Sequence, residues 1–422
     1  MRGRRGDGVT GRWGDSVTRR IVHPISPSPR LRLTILLPLI VAIGCKTVIE
    51  RQDVRPRVLR DVPARNLAYR LSPDVSPPNS NFDLEDKFAA VANFFAGKRK
   101  DDALLRTVVS PDGRRVLALY ATADESGSGF RIDLFNSDGE FLRNLIPPDL
   151  SCMFPETVTW SPDGNYINLI ARKRVMPSPS PTPPNEPEPD PLASPLPSPS
   201  VAPAFAPVAS FNTEQIYICN RDGYDLKPLT SRDGLIYFYF AWAPDGHQMA
   251  AMACTEDEWN ARERQYKLPA GRPRLIAPDG TERLLDDGLT EALPVWSPDA
   301  SKVATAFDTD VAFYDAGGKT PTHGRVPLAE QLIAASVVYE QRIATRKASD
   351  NGNSNSAASP TPAASPSTTT PPSFNPIIRL EWRRPEALYF QTAYVLLRPN
   401  ETINTFQRWH MLSLSAQAAI LK

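Results

Sequence analysis

Short apolar runs recur along the chain, and each follows the same polar turn. The runs are Arg115–Tyr120, Tyr166–Ile170, Gln248–Met252, Lys302–Ala306 and Ala387–Gln391. Their near-continuous apolar character predicts strands buried on both faces. A second, alternating strand follows in the first four units, around Ile132–Phe135, Ile216–Cys219, Leu275–Ala277 and Val311–Tyr314, each with its own small-residue turn at Asp138-Gly139, Asp222-Gly223, Asp279-Gly280 and Gly317-Gly318. Two hairpin turns per unit predict four antiparallel strands.

The turn before each apolar run is a motif. It reads Val109-Ser-Pro-Asp-Gly113, Trp160-Ser-Pro-Asp-Gly164, Trp242-Ala-Pro-Asp-Gly246 and Trp296-Ser-Pro-Asp-Ala300, with a degenerate copy at Trp382-Arg-Arg-Pro385. Pro111, Pro162, Pro244 and Pro298 preset φ at the second turn position. Asp112, Asp163, Asp245 and Asp299 bond to local backbone, and Gly113, Gly164 and Gly246 take the left-handed conformation. Successive copies stand 51, 82 and 54 residues apart. The long step contains residues 177–207, of which 13 are proline, and without them the period is 51 again. The last step, from Trp296 to Trp382, contains an uncharged Ser/Thr/Ala/Pro tract at about 348–373.

A four-stranded sheet repeated at a near-constant step is the blade of a propeller. The expected fold is therefore all-β, a β-propeller of five to six four-stranded blades. A sixth blade is to be assembled from residues near 66–105 or 328–347 together with the terminal strand Gln407–Leu414. Trp160, Trp242, Trp296 and Trp382 read as core between blades, since a large ring at a repeated position stacks neighbouring sheets. The two tracts, at about 176–208 and 348–374, lack the apolar content to offset their conformational entropy and read as disordered insertions within the propeller at 100–422. Within the preceding linker, 45–99, Asp83–Gly97 reads as a short helix capped by Asp83, with Leu84, Phe88, Val91, Ala92 and Phe95 on one face.

Charge divides the chain unevenly. Residues 1–44 hold eight arginines against Asp7 and Asp15, which leaves a body of about −5 within a total of +1 and gives no basic face for nucleic acid. The apolar run Leu33–Gly44 follows Arg30 and Arg32 and ends in small residues before Cys45, the order of a signal peptide over 1–44. Ala42-Ile-Gly-Cys45 resembles the lipobox of bacterial lipoproteins, which implies acylation of Cys45 and a lipid anchor. Cys152, Cys219 and Cys254 then remain, enough for one disulfide at most, and their spacing selects no pair.

The repeated strings resemble those of the TolB-type propeller family of bacterial envelope proteins, over roughly residues 100–415. The resemblance implies the fold and an envelope location, periplasmic or on the outer face. It does not extend to the amino-terminal α/β domain of that family, for which fewer than 70 residues separate Cys45 from the first blade. No Gly-x-Ser-x-Gly elbow occurs, and His23, His247, His323 and His410 show no metal-ligand spacing. Glu256-Asp-Glu258 and Asp308-Thr-Asp310 do not match a calcium loop. No catalytic residue, metal or cofactor is therefore assigned. The expectation is a monomeric binding or scaffold body that recognises an envelope protein or glycan. The alternative is a hydrolase or lyase that gathers its groups at the propeller channel and acts on a saccharide or peptide.

Overall fold

The structure, a computed structural model, describes residues 58–78, 87–122, 129–175, 208–351, 373–396 and 404–416. Cys45, the leader, Asp83, Leu84 and most of both low-complexity tracts lie outside these residues. The described chain is mostly β. It opens with two single turns of 3-10 helix, then strand β1 (Ala68–Ser72) and helix α1 (Ala89–Lys98).

Five antiparallel sheets follow in chain order. The first holds β2 (Ala103–Val109), β3 (Arg115–Ala121), β4 (Arg131–Asn136) and β5 (Phe141–Asn144). In the second, β6 (Leu150–Cys152) and β7 (Thr159–Trp160) both pair with β8 (Tyr166–Lys173), followed by β9 (Gln215–Asn220) and β10 (Lys227–Pro228). The third runs β11 (Leu235–Trp242), β12 (Met249–Thr255), β13 (Arg272–Ile276) and β14 (Glu282–Leu284), with helix α2 (Glu256–Arg264) between β12 and β13. The fourth runs β15 (Val295–Trp296), β16 (Lys302–Phe307), β17 (Asp310–Asp315) and β18 (His323–Pro327). Helix α3 (Ala329–Asn351) then leads to the fifth, with β19 (Ser373–Phe374), β20 (Ile377–Arg384), β21 (Ala387–Leu396) and β22 (Asn404–Ser415). Strand β1 joins this last sheet, Ala68 opposite Ser415 and Ser72 opposite Met411.

Two expectations change here. Residues 328–347 supply no strands for a sixth sheet. Leu328, Leu332 and Ala335 are buried and Tyr339 half-buried, at a helical spacing, so the segment is α3 laid against the fourth and fifth sheets. The other candidate segment, near 66–105, does meet the terminal strand, as β1 paired with β22, but both belong to the fifth sheet and form no sixth. Helix α1 also begins later than expected, at Ala89, where the Phe88 N–H donates to Thr107 Oγ1 at 2.8 Å, and runs one residue past Gly97.

The motif turns carry the hydrogen bonds their chemistry demands. Ser110 Oγ donates to Asp112 Oδ1 at 2.6 Å and accepts from the Arg115 N–H at 2.9 Å, while Asp112 Oδ1 also accepts from the Arg114 N–H. Ser161 with Asp163 and Ser297 with Asp299 repeat the pattern. In the fourth sheet the left-handed position is Ala300, at φ 57°. At the third turn Ala243 has no hydroxyl, and of the motif's side-chain bonds only that from the His247 N–H to Asp245 Oδ1 is present, beside the backbone bond from the Gly246 N–H to Ala243 O. Successive turns lie side by side: a Cβ on Gly164 would stand 3.4 Å from the Pro111 ring, and one on Gly246 3.7 Å from Pro162.

Packing runs from sheet to sheet. Apolar clusters join the first sheet to the second, the second to the third, the third to the fourth and the fourth to the fifth. The tryptophan before a turn faces the preceding sheet. Trp160 Nε1 donates to Val108 O at 3.1 Å and Trp296 Nε1 to Ala241 O at 3.0 Å, each a bond from one sheet to the first strand of its predecessor. Trp242 breaks the pattern. Its Nε1 is buried without a partner, and the preceding sheet presents Asn168, also buried and unpartnered, where the first, third and fourth sheets have Leu117, Ala250 and Ala304. Trp382 turns its Nε1 to Pro385 O within its own turn.

A net buried hydrogen bond contributes about 1 kcal/mol. Trp160→Phe and Trp296→Phe are therefore expected to lower unfolding free energy in denaturant titrations by about 1 kcal/mol more than Trp242→Phe does. Equal losses at all three sites would contradict the assigned inter-sheet bonds.

Candidate functional site

Each sheet has two edges of different character. One carries the tight turns, namely the Ser-Pro-Asp motifs and the second turns that join β4 to β5, β9 to β10, β13 to β14 and β17 to β18. The other carries the long connections: residues 174–214 between β8 and β9, α2 between β12 and β13, α3 between β18 and β20, and α1 with its flanks between β1 and β2. The connections that hold the three helices among the described residues therefore leave from one edge, although α1 lies along the face of the first sheet and its Ala90 backbone comes against Gly139 at the turn edge. Loops on a rigid scaffold are where binding groups concentrate, which makes this edge the candidate functional surface.

The chain enters at the opposite edge. The Ala64 N–H donates to Asp315 Oδ1 at 3.0 Å, and Asp315 also holds Lys302 Nζ at 3.1 Å and the Thr322 N–H and hydroxyl at 2.9 and 2.7 Å. Asp315 ends β17 at the turn edge, so β1 starts there and runs toward the loops.

Each helix is locked to the sheets by charge as well as apolar contact. Val91 and Phe95 of α1 lie against Val116, Ala118, Tyr120 and Phe135, covering the face of the first sheet turned away from the second. Arg99, which closes α1, reaches Asp133 at 2.6 Å and lies 5.1 to 5.9 Å from the ring centres of Tyr120, Phe141, Phe95 and Phe94. Asp133 is fully buried. Desolvation raises its pKa to about 6 even though Arg99 opposes the shift.

Helix α2 starts with a capping box. Glu258 N–H donates to Thr255 Oγ1, and the Thr255 N–H donates to Glu258 Oε2. Arg272 grips the same Glu258 at 2.8 and 2.7 Å, and these hydrogen bonds hold its carboxyl down at about 2. Trp259 packs between Phe154 and Phe238, with ring centres at 5.9 and 5.7 Å. The acidic run 256–258 is thus the first turn of a helix, where carboxylates complement the exposed N–H groups. Beyond it the chain turns sharply at Tyr266, φ 53°, and Tyr266 and Leu268 stand 99% and 70% exposed. Arg262 steadies this tip by bonding to Leu268 O at 2.5 Å and pairing with Glu291.

Helix α3 is held through Arg408 of β22, which is buried. Its guanidinium pairs with Asp74 at 2.6 Å, donates to Ser336 Oγ at 2.8 Å and Ala335 O at 3.1 Å, and lies 4.6 Å from the Tyr339 ring. Beside it, His410 Nδ1 accepts from the Asp74 N–H at 3.4 Å, while Nε2 lies 3.0 Å from Thr392 Oγ1 and the ring stacks on Phe390. Burial, and then the charge of Arg408, lower its pKa to about 4, so the imidazole is neutral. Thr392, His410 and Asp74 imitate a nucleophile, a base and an acid, but Thr392 and His410 are fully buried and Nδ1 accepts rather than donates. They join strands and do not face substrate.

The motif residues Pro111, Asp112, Gly113, Pro162, Asp163, Gly164, Pro244, Asp245, Gly246, Pro298 and Asp299 all lie at the turn edge, away from the helices. Trp160 and Trp296 are buried, as is Trp382 in the fourth–fifth cluster. Cys152, Cys219 and Cys254 are buried and form no disulfide among the described residues; burial pushes the thiols of Cys219 and Cys254 up to about 12. No group of three His, Cys, Asp or Glu side chains among the described residues could hold a metal. The network around Arg408 and the anchored tip of α2 escaped the sequence reading, because each joins residues far apart in the chain. The one available signal for α2 was Thr255 followed three residues later by Glu258.

No protein-family model matches the chain, and no curated protein matches it. Among solved structures it is similar to an oligogalacturonate lyase in complex with manganese, at 11% identity over 74% of this chain and 65% of that one, with a TM-score of 0.36. A putative TolB from Agrobacterium tumefaciens is similar at 12% identity over 74% of this chain and 89% of that one, TM-score 0.27. Prolyl oligopeptidase B from Galerina marginata is similar at 10% identity over 84% of this chain and 41% of that one, TM-score 0.37. The chain thus spans 65% of the lyase and less than half of the oligopeptidase.

Removing one partner of a buried pair leaves an uncompensated charge, at about 3 kcal/mol or more. Arg99→Ala is expected to lower stability by that amount at pH 7 and by less near pH 5, where Asp133 protonates. The native carboxyl binds protons more tightly than an unfolded one at about 3.9, so Asp133 costs the fold stability as pH rises from about 4 to about 6. Asp133→Asn should therefore gain on the wild type across that window in pH-dependent thermal melts; a constant difference would refute the buried-carboxyl assignment.

Proposed function

We propose that the chain is an exported binding module of the bacterial envelope, tethered to a membrane by lipid on Cys45, whose five sheets are the blades of a propeller, the last blade being completed by β1. It presents the loop-bearing edge to an envelope protein or glycan. The observation that carries this reading is the division of the two edges: the helices and long connections open on one, and the chain enters at the other.

A tether that arrives at the turn edge leaves the helix-bearing edge facing away from the membrane. Only residues 46–57 separate Cys45 from the described body, a reach of roughly 40 Å when fully extended. Among the described residues no helix is long and apolar enough to cross a membrane. Partner contact at the tip of α2 is supported by its anchoring: Tyr266 and Leu268 are exposed, yet Trp259, Glu258 and Arg262 fix the turn beneath them. A pre-ordered exposed aromatic contributes to binding without a large ordering cost.

Two measurements test the proposal. Metabolic labelling with palmitate should mark the wild-type protein but not Cys45→Ser, which should leave the membrane fraction; label retained by Cys45→Ser removes the tether. In pull-downs from envelope extract, the Tyr266→Ser/Leu268→Ser variant should retain its specific partner at least tenfold less well than wild type. Equal retention would discard the α2 tip as the contact.

A further inference from the structure

The fifth sheet commits only one face to the core. Leu380, Trp382, Leu388, Phe390, Leu412 and Leu414 lie in the cluster shared with the fourth sheet. The other face is polar and aromatic. Register sets Arg379 opposite Gln391 and Gln391 opposite Trp409, a row across β20, β21 and β22, and the next row is Glu381, Tyr389 and Met411. Among the described residues no apolar cluster joins this face to the first sheet, whose own outer face is taken by α1. Trp409, Tyr389 and Gln391 are half-buried, and the side chain of Arg379 is 42% exposed.

These groups are held in place. Glu381 binds Arg379 at 2.9 Å and Arg383 at 3.0 Å, the Arg379 guanidinium lies 5.8 Å from the Trp409 ring, and Gln391 Nε2 donates to Gln407 Oε1 at 2.7 Å. That bond leaves the Gln391 carbonyl and the Gln407 amide N–H groups directed elsewhere. A partly exposed indole on a flat sheet, edged by planar amide and guanidinium groups, matches a sugar ring. The C–H face of a pyranose stacks on the electron-rich ring face, and its hydroxyls replace water on the surrounding donors and acceptors. A protein partner would instead have to desolvate two arginines, a glutamate and two glutamines without such matched replacements.

We propose that this face of the fifth sheet is a saccharide-binding platform on which Trp409 stacks against a pyranose ring of a neutral oligosaccharide while Gln391, Gln407 and Arg379 pair with its hydroxyls. It deepens the binding-module reading by naming a glycan and a location away from the α2 tip. The test is calorimetric titration of the full chain with cellotetraose, chitotetraose and maltotetraose. Saturable binding of at least one is expected, weakened tenfold or more by Trp409→Ala and several-fold by Gln391→Ala/Gln407→Ala, with circular dichroism and melting used to verify folding. Should Trp409→Ala fail to fold, the double glutamine variant decides alone. No saturable binding of any of the three, or wild-type binding by a folded variant, overturns the platform. The Tyr266→Ser/Leu268→Ser variant should bind the saccharide normally, so that loss of the envelope partner and loss of the glycan are read separately.

Discussion

A sheet whose strands are apolar on both faces is unstable until both faces are covered. In this chain each sheet meets that requirement with the sheet after it, so that Leu117, Leu119 and Ile132 of the first pack with Trp160, Ile167 and Leu169 of the second, and so on to the fifth. The tryptophan N–H bonds to the first strand of the preceding sheet add direction to a contact that apolar area alone would leave free to slide. Helix α1 covers the face of the first sheet turned away from the second, and Arg99 with Asp133 fixes the helix in place.

The long connections that carry the helices all leave from one edge of the sheets, although that edge also holds the two-residue turn at Asp308–Thr309 between β16 and β17. At the turn edge, side chains satisfy the backbone within a few residues, and the turns stack proline against glycine. The opposite edge tolerates long additions, since loop closure costs little more as length grows. Among the described residues three helices use it: α1 and α2 are tied to strands by ion pairs through Asp133 and Arg272, and α3 by hydrogen bonds from Arg408 to Ser336 and Ala335. The surface is therefore ordered as well as projecting.

The second and third sheets meet less well than the others. Asn168 and the Trp242 indole bring buried polar groups without partners to a place where neighbouring interfaces set leucine or alanine against a bonded tryptophan. Unsatisfied polar atoms in an interior cost stability. The junction is held by bonds elsewhere along it: the Tyr237 N–H donates to Glu214 O at 3.0 Å and Gln215 Nε2 donates to Leu235 O at 3.0 Å.

Local chemistry wrote the strands and turns into the sequence. Pro-Asp-Gly strings preset φ, apolar runs of five to eight residues follow them, and the period survives subtraction of the proline tract, so units of four strands could be read directly from residues 100–345. What surrounds a strand could not be read so. Whether Gln407–Leu414 began a new sheet or completed the fifth depended on Ala68–Ser72, more than 330 residues away in the chain, and β1 resolved it by pairing. Residues 328–347 carry an apolar pattern compatible with either element, and burial of Leu332 and Ala335 against the fourth and fifth sheets selected the helix. The charge partners of Asp133 and Arg408, and the row of Arg379, Gln391 and Trp409, likewise exist only where strand register brings them together. Local backbone preference is encoded within a few residues, whereas a binding surface is made of groups that only long-range pairing places side by side.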